Sequence, residues 1–263
     1  MESRFEGRSR RGIGIVVVAV AFALQSLAPL PGQAAEPSGG RIGIGLETGA
    51  LRLARNDARI PGDTGTEFDV TTLTGEDAGA FVRVDAHWRI DARHGLRVVL
   101  APLEVSGTGR LARETRFAGA SFAPGEAEGT YRFDAYKLTY RYTFPERGRW
   151  RWGVGFTALV RDAKIELAQG GTSAKDENVG FVPALHVSGE YGPSERWTFG
   201  FDFDGLAGGP GRLLDLALKL HYDLGGNWHV GGGYRTLEGG ADTDEVFNFA
   251  WLNYAVLDIR YRL

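Results

Sequence analysis

From Val246 to Leu263 the chain alternates two faces without a break. Phe247, Phe249, Trp251, Ala255, Leu257, Ile259, Tyr261 and Leu263 share one face, with Asn253 its only polar member. Asn248, Ala250, Leu252, Tyr254, Val256, Asp258, Arg260 and Arg262 share the other. Period-two alternation over that length means one long strand with a single face turned to an apolar medium. Strands in water-soluble sheets usually run to about 5–6 residues. A strand of this length suits a membrane-spanning barrel better than a soluble sheet.

Nine further segments alternate in the same way, at roughly 41–54, 78–91, 96–107, 129–144, 150–168, 179–191, 196–205, 212–224 and 227–238. Four connections are short and turn-like by composition: Ala92–Gly95, Pro145–Arg149, Gly192–Glu195 and Gly225–Gly226. The others, at 55–77, 108–128, 169–178, 206–211 and 239–245, are longer. Short turns on one side and longer loops on the other are how transmembrane barrels are built, and an even strand count puts both ends of the barrel on the short-turn side. In water the apolar face would need a covering layer. No helical pattern is available to supply one, whereas a closed barrel in lipid satisfies every backbone group without an edge. The expected fold is all-β: a transmembrane antiparallel up-and-down β-barrel of about ten strands.

The tryptophans sort to one end of this layout. Trp88, Trp150, Trp152, Trp197 and Trp228 all lie beside short turns, with Tyr261 at the same level, as a periplasmic aromatic girdle would. Pro102 and Pro183 fall inside expected strands, where each removes a ladder donor. Thr66–Thr74 also alternates, through Phe68 and Val70, and reads as the extracellular extension of the second strand.

Residues 1–34 read as a cleavable signal peptide. Arg4, Arg8, Arg10 and Arg11 lead an apolar run from Ile13 to Ala28, and Gly32 and Ala34 have the spacing of a cleavage site. Residues 35–263 then form one barrel domain. The full chain carries a net charge of −3, the leader adds two positive charges, and the remainder is about −5, which argues against nucleic acid as a partner. Cysteine is absent, so neither disulfides nor thiol chemistry enter. No metal-ligand spacing is present and no cofactor is expected.

Leu257, Ile259, Tyr261 and Leu263 resemble the C-terminal signature of bacterial outer-membrane barrels, which usually end in Phe where this chain has Leu. Arg55-Asn56-Asp57, Ile60–Thr66 and Tyr234–Asp242 carry a resemblance over most of the chain to a group of small outer-membrane barrels without an assigned activity. The resemblance implies export to the bacterial outer membrane. It also implies contact with outer-membrane lipid and lipopolysaccharide, recognition of the four C-terminal residues by the barrel assembly machinery, and a monomer.

By parity the inward face mixes charges of both signs. Arg83, Asp85, His87, Arg89, Lys137, Arg141, Arg161, Asp202, Asp204, Asp215, Lys219 and Arg235 are its core, joined by Arg151, Glu190, Asp223, Asp258 and Arg260. A barrel of about eight strands is filled by its own side chains, so ten strands predict a narrow lumen nearly plugged by ion pairs. Asp57, Asp63, Asp202, Asp204, Asp215, Glu238, Asp242 and Asp244 are expected at an acidic outer mouth, a cation or polar-ligand site or simply a solvated rim.

Two catalytic readings compete with a filled lumen. The omptin proteases are ten-stranded barrels with His and acidic groups at the outer rim, but His87, His94, His186, His221 and His229 all fall at mid-strand or near short turns. His186, Ser188 and Glu190 share one strand face and resemble the His–Ser–carboxylate set of outer-membrane lipid A deacylases, in which His deprotonates Ser for attack on an ester. That face points to the lumen, whereas a lipid substrate lies outside. Asp63-Thr64-Gly65 matches a protease triplet but follows Pro61-Gly62 in a loop without a second copy. The expectation is a non-enzymatic small barrel for envelope structure, surface ligand contact or a very narrow pore. A membrane-embedded lipid A or ester hydrolase is the alternative.

Overall fold

The computed structural model describes residues 41–263, the side chain of Ala78 excepted, so the segment read as a signal peptide lies outside the described residues. Fourteen strands and one helical turn follow in chain order. They are β1 (Ile42–Arg59), β2 (Phe68–Asp69), α1 (Thr71–Thr74), β3 (Asp77–Arg89), β4 (His94–Ala101), β5 (Glu104–Leu111), β6 (Thr115–Phe117) and β7 (Ala120–Phe122). The longer β8 (Gly125–Thr143), β9 (Trp150–Gln169), β10 (Thr172–Tyr191), β11 (Trp197–Gly208), β12 (Gly211–Gly225), β13 (Trp228–Asp242) and β14 (Phe247–Arg262) complete the wall.

Each long strand pairs antiparallel with its neighbours, and β14 returns to β1 from Gly43↔Arg262 to Arg59↔Phe247, closing a ten-stave barrel. The third stave is split. Pro102 has no N–H to donate, and it separates β4, which pairs with β3 and β8, from β5, which pairs with β8 alone. The β3–β4 ladder ends at Val84↔Leu100, so above that level no backbone pairing joins β3 to β5 among the described residues. Pro183 causes no such break: it faces outward, opposite Ala158, inside a continuous β9–β10 ladder.

The exterior carries an apolar band. Val154, Phe156 and Val160 on β9, Val179, Phe181 and Leu185 on β10, and Leu214, Leu218 and Leu220 on β12 are exposed large hydrophobics. At its lower edge Trp88, Trp150, Trp152, Trp197 and Trp228 are likewise exposed, and Tyr261 is half-buried. Trp150 stacks on Trp152 with centroids 5.1 Å apart, and Trp228 on Tyr261 at 4.7 Å. Trp251, the sixth, marks the opposite edge and donates its Nε1–H to Thr236 Oγ1 at 2.8 Å. From Trp150 to Val160 β9 spans the 9–11 residues a tilted strand needs to cross a bilayer. It then continues to Gln169 with Asp162, Lys164 and Glu166 on the same outward face. Much of what the sequence suggests as loop is therefore strand rising beyond the apolar band. Gly170-Gly171 alone connects β9 to β10, and Gly209-Pro210 connects β11 to β12. Gly170 and Gly171 both have positive φ, 56° and 87°, which fits them to so tight a turn.

Residues 66–74 do not extend β3. Phe68 and Asp69 pair with Ala58 and Asp57 of β1, and Val70 N–H donates to Asn56 O. The chain then makes the helical turn α1, anchored by the Asp69 carboxylate, which accepts from Thr71 N–H and Thr71 Oγ1 at 2.9 and 2.7 Å. This turn folds into the barrel mouth. A Cβ placed on Gly109 would lie 1.9 Å from Thr72 O, one on Gly107 would lie 2.7 Å from Leu73 O, and one on Gly129 would lie 2.6 Å from Leu73 Cβ. These glycines face inward and leave the space that α1 occupies.

Candidate functional site in the barrel interior

The interior has two layers. The outer one is apolar. Leu51, Leu53, Val70, Leu73, Phe117, Phe122, Tyr131, Leu167 and Leu252 form one buried cluster, each at most 3% exposed. The β6–β7 hairpin contributes Phe117 and Phe122, and Gln169 clamps its far end through hydrogen bonds with Ala123 and Glu126. The polar lumen expected from the sequence thus occupies only the inner half. The reason is visible in β14, whose inward residues change from Asp258 and Arg260 to Ala250, Leu252 and Val256 as it rises.

Below this plug lies the charged layer. Lys137 Nζ donates to Asp204 at 2.9 Å and to Asp215. Arg235 donates to both oxygens of Asp215 at 2.6 and 2.8 Å. Thr157 Oγ1 and the ring Nδ1 of His186 reach Asp204 Oδ1 at 2.7 and 2.8 Å. Arg97 donates to Asp202 at 3.0 Å. On the other wall Glu47 pairs with Lys219 and stands 3.8 Å from Arg83, while Asp258 meets His221 at 3.0 Å and Arg260 at 2.9 Å. His87 lies 4.0 Å from Asp85. Glu47, Arg83, Lys137, Asp204, Asp215, Lys219 and Arg235 are desolvated, so each depends on its partner.

Small residues opposite make the layer possible. A Cβ on Gly43 would meet the His87 ring at 2.1 Å, one on Gly45 the Asp85 carboxylate at 2.4 Å, and one on Gly231 Asp258 Oδ1 at 2.1 Å. Each of these three side chains lies across the glycine of the neighbouring strand. Glu47 and Arg97 are absent from the sequence-derived network, although Glu47 alternates cleanly with Ile44, Leu46 and Thr48 and its parity alone places it inward.

Several expected members sit elsewhere. Arg161 binds Asn178 at 3.0 Å, away from the Lys137 cluster, and Arg89 is exposed at the short-turn end. Asp202, Asp204 and Asp215 do not belong to an outer acidic mouth, because they lie beneath the apolar plug and are paired with cations. Asp57 and Glu238 do lie at the outer end, where Arg55 and Arg212 neutralise them. Asp63 accepts from Thr64 Oγ1, and Gly65 N–H donates to Pro61 O, so that triplet is a turn. No group of His and acidic residues suited to a metal ion occurs among the described residues.

His186, Ser188 and Glu190 share the inward face of β10 but are not assembled as a catalytic set. His186 directs Nδ1 to Asp204 and Nε2 toward Asp202, 3.7 Å away. Glu190 is held by Arg151 and lies 4.0 Å from Arg141. Ser188 is 4% exposed, beside a cavity of about 10 Å³, room for one water and no acyl chain.

No protein-family model and no curated protein matches the chain. Among solved structures it is similar to the outer membrane protease OmpT from Escherichia coli, with TM-score 0.55 and 10% identity over 89% of this chain and 99% of that one. Neisserial surface protein A is similar at TM-score 0.36 and 11% identity, over 86% of this chain and 99% of that one. Ail, the attachment invasion locus protein of Yersinia pestis, is similar at TM-score 0.40 and 7% identity, over 84% and 99%. The likeness to OmpT is one of fold. The chain is a small barrel of the bacterial outer-membrane type.

Proposed function

We propose that this barrel is a non-enzymatic, occluded envelope protein, which works through its outer surface and not by conducting solutes or cleaving lipid. One observation carries the reading: the apolar plug of α1 and the β6–β7 hairpin stands directly on the buried ion-pair layer, so neither layer leaves a wide aqueous path. A channel wide enough for solutes needs more strands, about sixteen in the porins. The strands that rise past the apolar band, joined by turns such as Gly170-Gly171, present a stiff surface to the cell exterior. Lipopolysaccharide surrounds the upper wall in this reading. The protein is a monomer, and the assembly machinery reads Leu257, Ile259, Tyr261 and Leu263, of which Leu257, Ile259 and Leu263 face outward and exposed. Single-channel recording in a planar bilayer tests the proposal. The intact protein should give no conductance steps, and steady porin-like openings would refute it.

A further inference from the structure

The short turns hold basic side chains on the lipid-facing wall. Arg93, in the turn between β3 and β4, donates to the hydroxyl of Tyr142 at 3.2 Å. His94 Nδ1 lies 2.6 Å from the hydroxyl of Tyr140, with its ring 5.4 Å from that of Tyr142. Arg196, in the turn before β11, donates to the hydroxyl of Tyr222 at 3.1 Å, and Tyr222 packs on Trp197 at 4.8 Å. Tyr140, Tyr142 and Tyr222 alternate with inward residues, so their rings lie on the exterior beside the girdle tryptophans. Two different turns thus repeat one device: a guanidinium docked on a tyrosine hydroxyl at the height of the membrane–water boundary.

Asp91 and Asp223, the carboxylates whose charges act on Arg93 and Arg196, are engaged elsewhere. Asp91 accepts the backbone N–H groups of Arg93 and His94 at 2.8 and 2.9 Å, which hold its carboxyl below the usual range. Asp223 accepts Gly225 N–H at 2.7 Å and faces His229 at 3.5 Å. Neither Arg93 nor Arg196 has a carboxylate within ion-pair distance among the described residues, in contrast to the arginines of the outer end, where Arg52, Arg55 and Arg212 are paired. A docked guanidinium with no carboxylate in direct contact, at lipid-phosphate height, is a ready receptor for an anion.

We infer that the short-turn rim carries two phospholipid sites, at Arg93–His94 and at Arg196, each binding the phosphate of an anionic glycerophospholipid in the periplasmic leaflet. The tyrosine fixes the guanidinium, the phosphodiester oxygens accept its N–H groups, and the acyl chains run up the apolar band. The inference rests on the membrane-spanning reading above. The detergent-solubilised protein, full chain and folded, is titrated with phosphatidylglycerol, with phosphatidylcholine and with inorganic phosphate, and retained lipid is counted by native mass spectrometry.

Two phosphatidylglycerol molecules should be held in preference to phosphatidylcholine. Arg93→Gln and Arg196→Gln should each weaken one site about fivefold, the equivalent of about 1 kcal/mol per basic group near an anionic surface. Tyr142→Phe and Tyr222→Phe keep the charge and should lose part of that preference, whereas Arg113→Gln at the outer end should lose none. Equal retention of both lipids, or arginine variants that bind like the parent, would overturn the inference. So would inorganic phosphate displacing the lipid at matched concentration. If the arginine variants do not fold, raising salt on the unaltered protein must still weaken phosphatidylglycerol retention, and salt-independent retention would overturn the inference too. Failure of the membrane-spanning reading has another signature, a protein that stays monomeric without detergent.

Discussion

Asp215 joins two cations of the buried network, Lys137 and Arg235, and Asp215→Asn should cost more than the loss of either. The side chain is 2% exposed and serves both Lys137 and Arg235. Without its charge Lys137 still has Asp204 at 2.9 Å, but Arg235 loses the carboxylate that takes two of its hydrogen bonds, and its Nε already has no partner among the described residues. An uncompensated buried charge costs about 3–5 kcal/mol, so Asp215→Asn belongs near the top of that range. Lys137→Met belongs near the bottom, because Asp204 keeps Thr157 and His186 and Asp215 keeps Arg235. Removing both partners, as Asp215→Leu with Arg235→Met, leaves Lys137 and Asp204 as a balanced pair and should cost less than Asp215→Asn alone. Urea unfolding in lipid vesicles, followed by tryptophan fluorescence, reads these differences as midpoint shifts of roughly 1–2 M for the worst variant. The reasoning is refuted if the double variant costs the sum of its parts, or if Asp215→Asn unfolds with the parent.

Further outcomes follow from the plug and from Ser188. Gly109→Val must displace α1, whose Thr72 O lies 1.9 Å from the new Cβ, at about 1–3 kcal/mol of overpacking; planar-bilayer recording should then show brief openings that the parent lacks. Phe117→Ala removes a fully buried ring from the hairpin and should cost about 3–5 kcal/mol, with the first protease cut moving to residues 112–124. Ser188→Ala should leave the lipid A mass profile of the host unchanged, and loss of an acyl-trimmed species in that variant would revive the hydrolase reading.

The staves were legible because period two survives where one face meets lipid. The ten segments read from alternation match the wall to within a few residues at their inner ends. The outer end of β10 extends seven residues beyond its alternating segment, because from Thr172 to Asn178 both faces are largely polar and the alternation fades, whereas β9 alternates almost to its end through inward Ile165 and Leu167. The apolar plug was hidden for the opposite reason. On β14 Leu252 and Val256 point inward and Trp251 and Leu257 outward, so the strand is apolar on both faces and parity does not reveal what fills the lumen. Phe68 and Val70 mimic a strand extension because a two-residue pairing with β1 shares the same period. Only the long-range packing of Leu73 against Gly129 decides that the chain turns inward there, and no local pattern encodes it. The His186–Ser188–Glu190 proximity was legible as shared parity, whereas the capture of His186 by Asp204 from the adjacent strand required the β10–β11 register.

The break at Pro102 gives the wall an uneven resistance to opening. Around much of the circumference separating two staves means breaking a long ladder, but above Val84 the edges of β3 and β5 have none, and above Leu185 the β10–β11 ladder also stops. Amide protons along residues 79–82 and 104–108 that point across the β3–β5 line should trade with deuterium ahead of those in β8 and β9, which are paired on both edges. If the cylinder ever unzips under heat or force, the tear should begin at an incomplete seam such as the outer end of the third stave, and run downward.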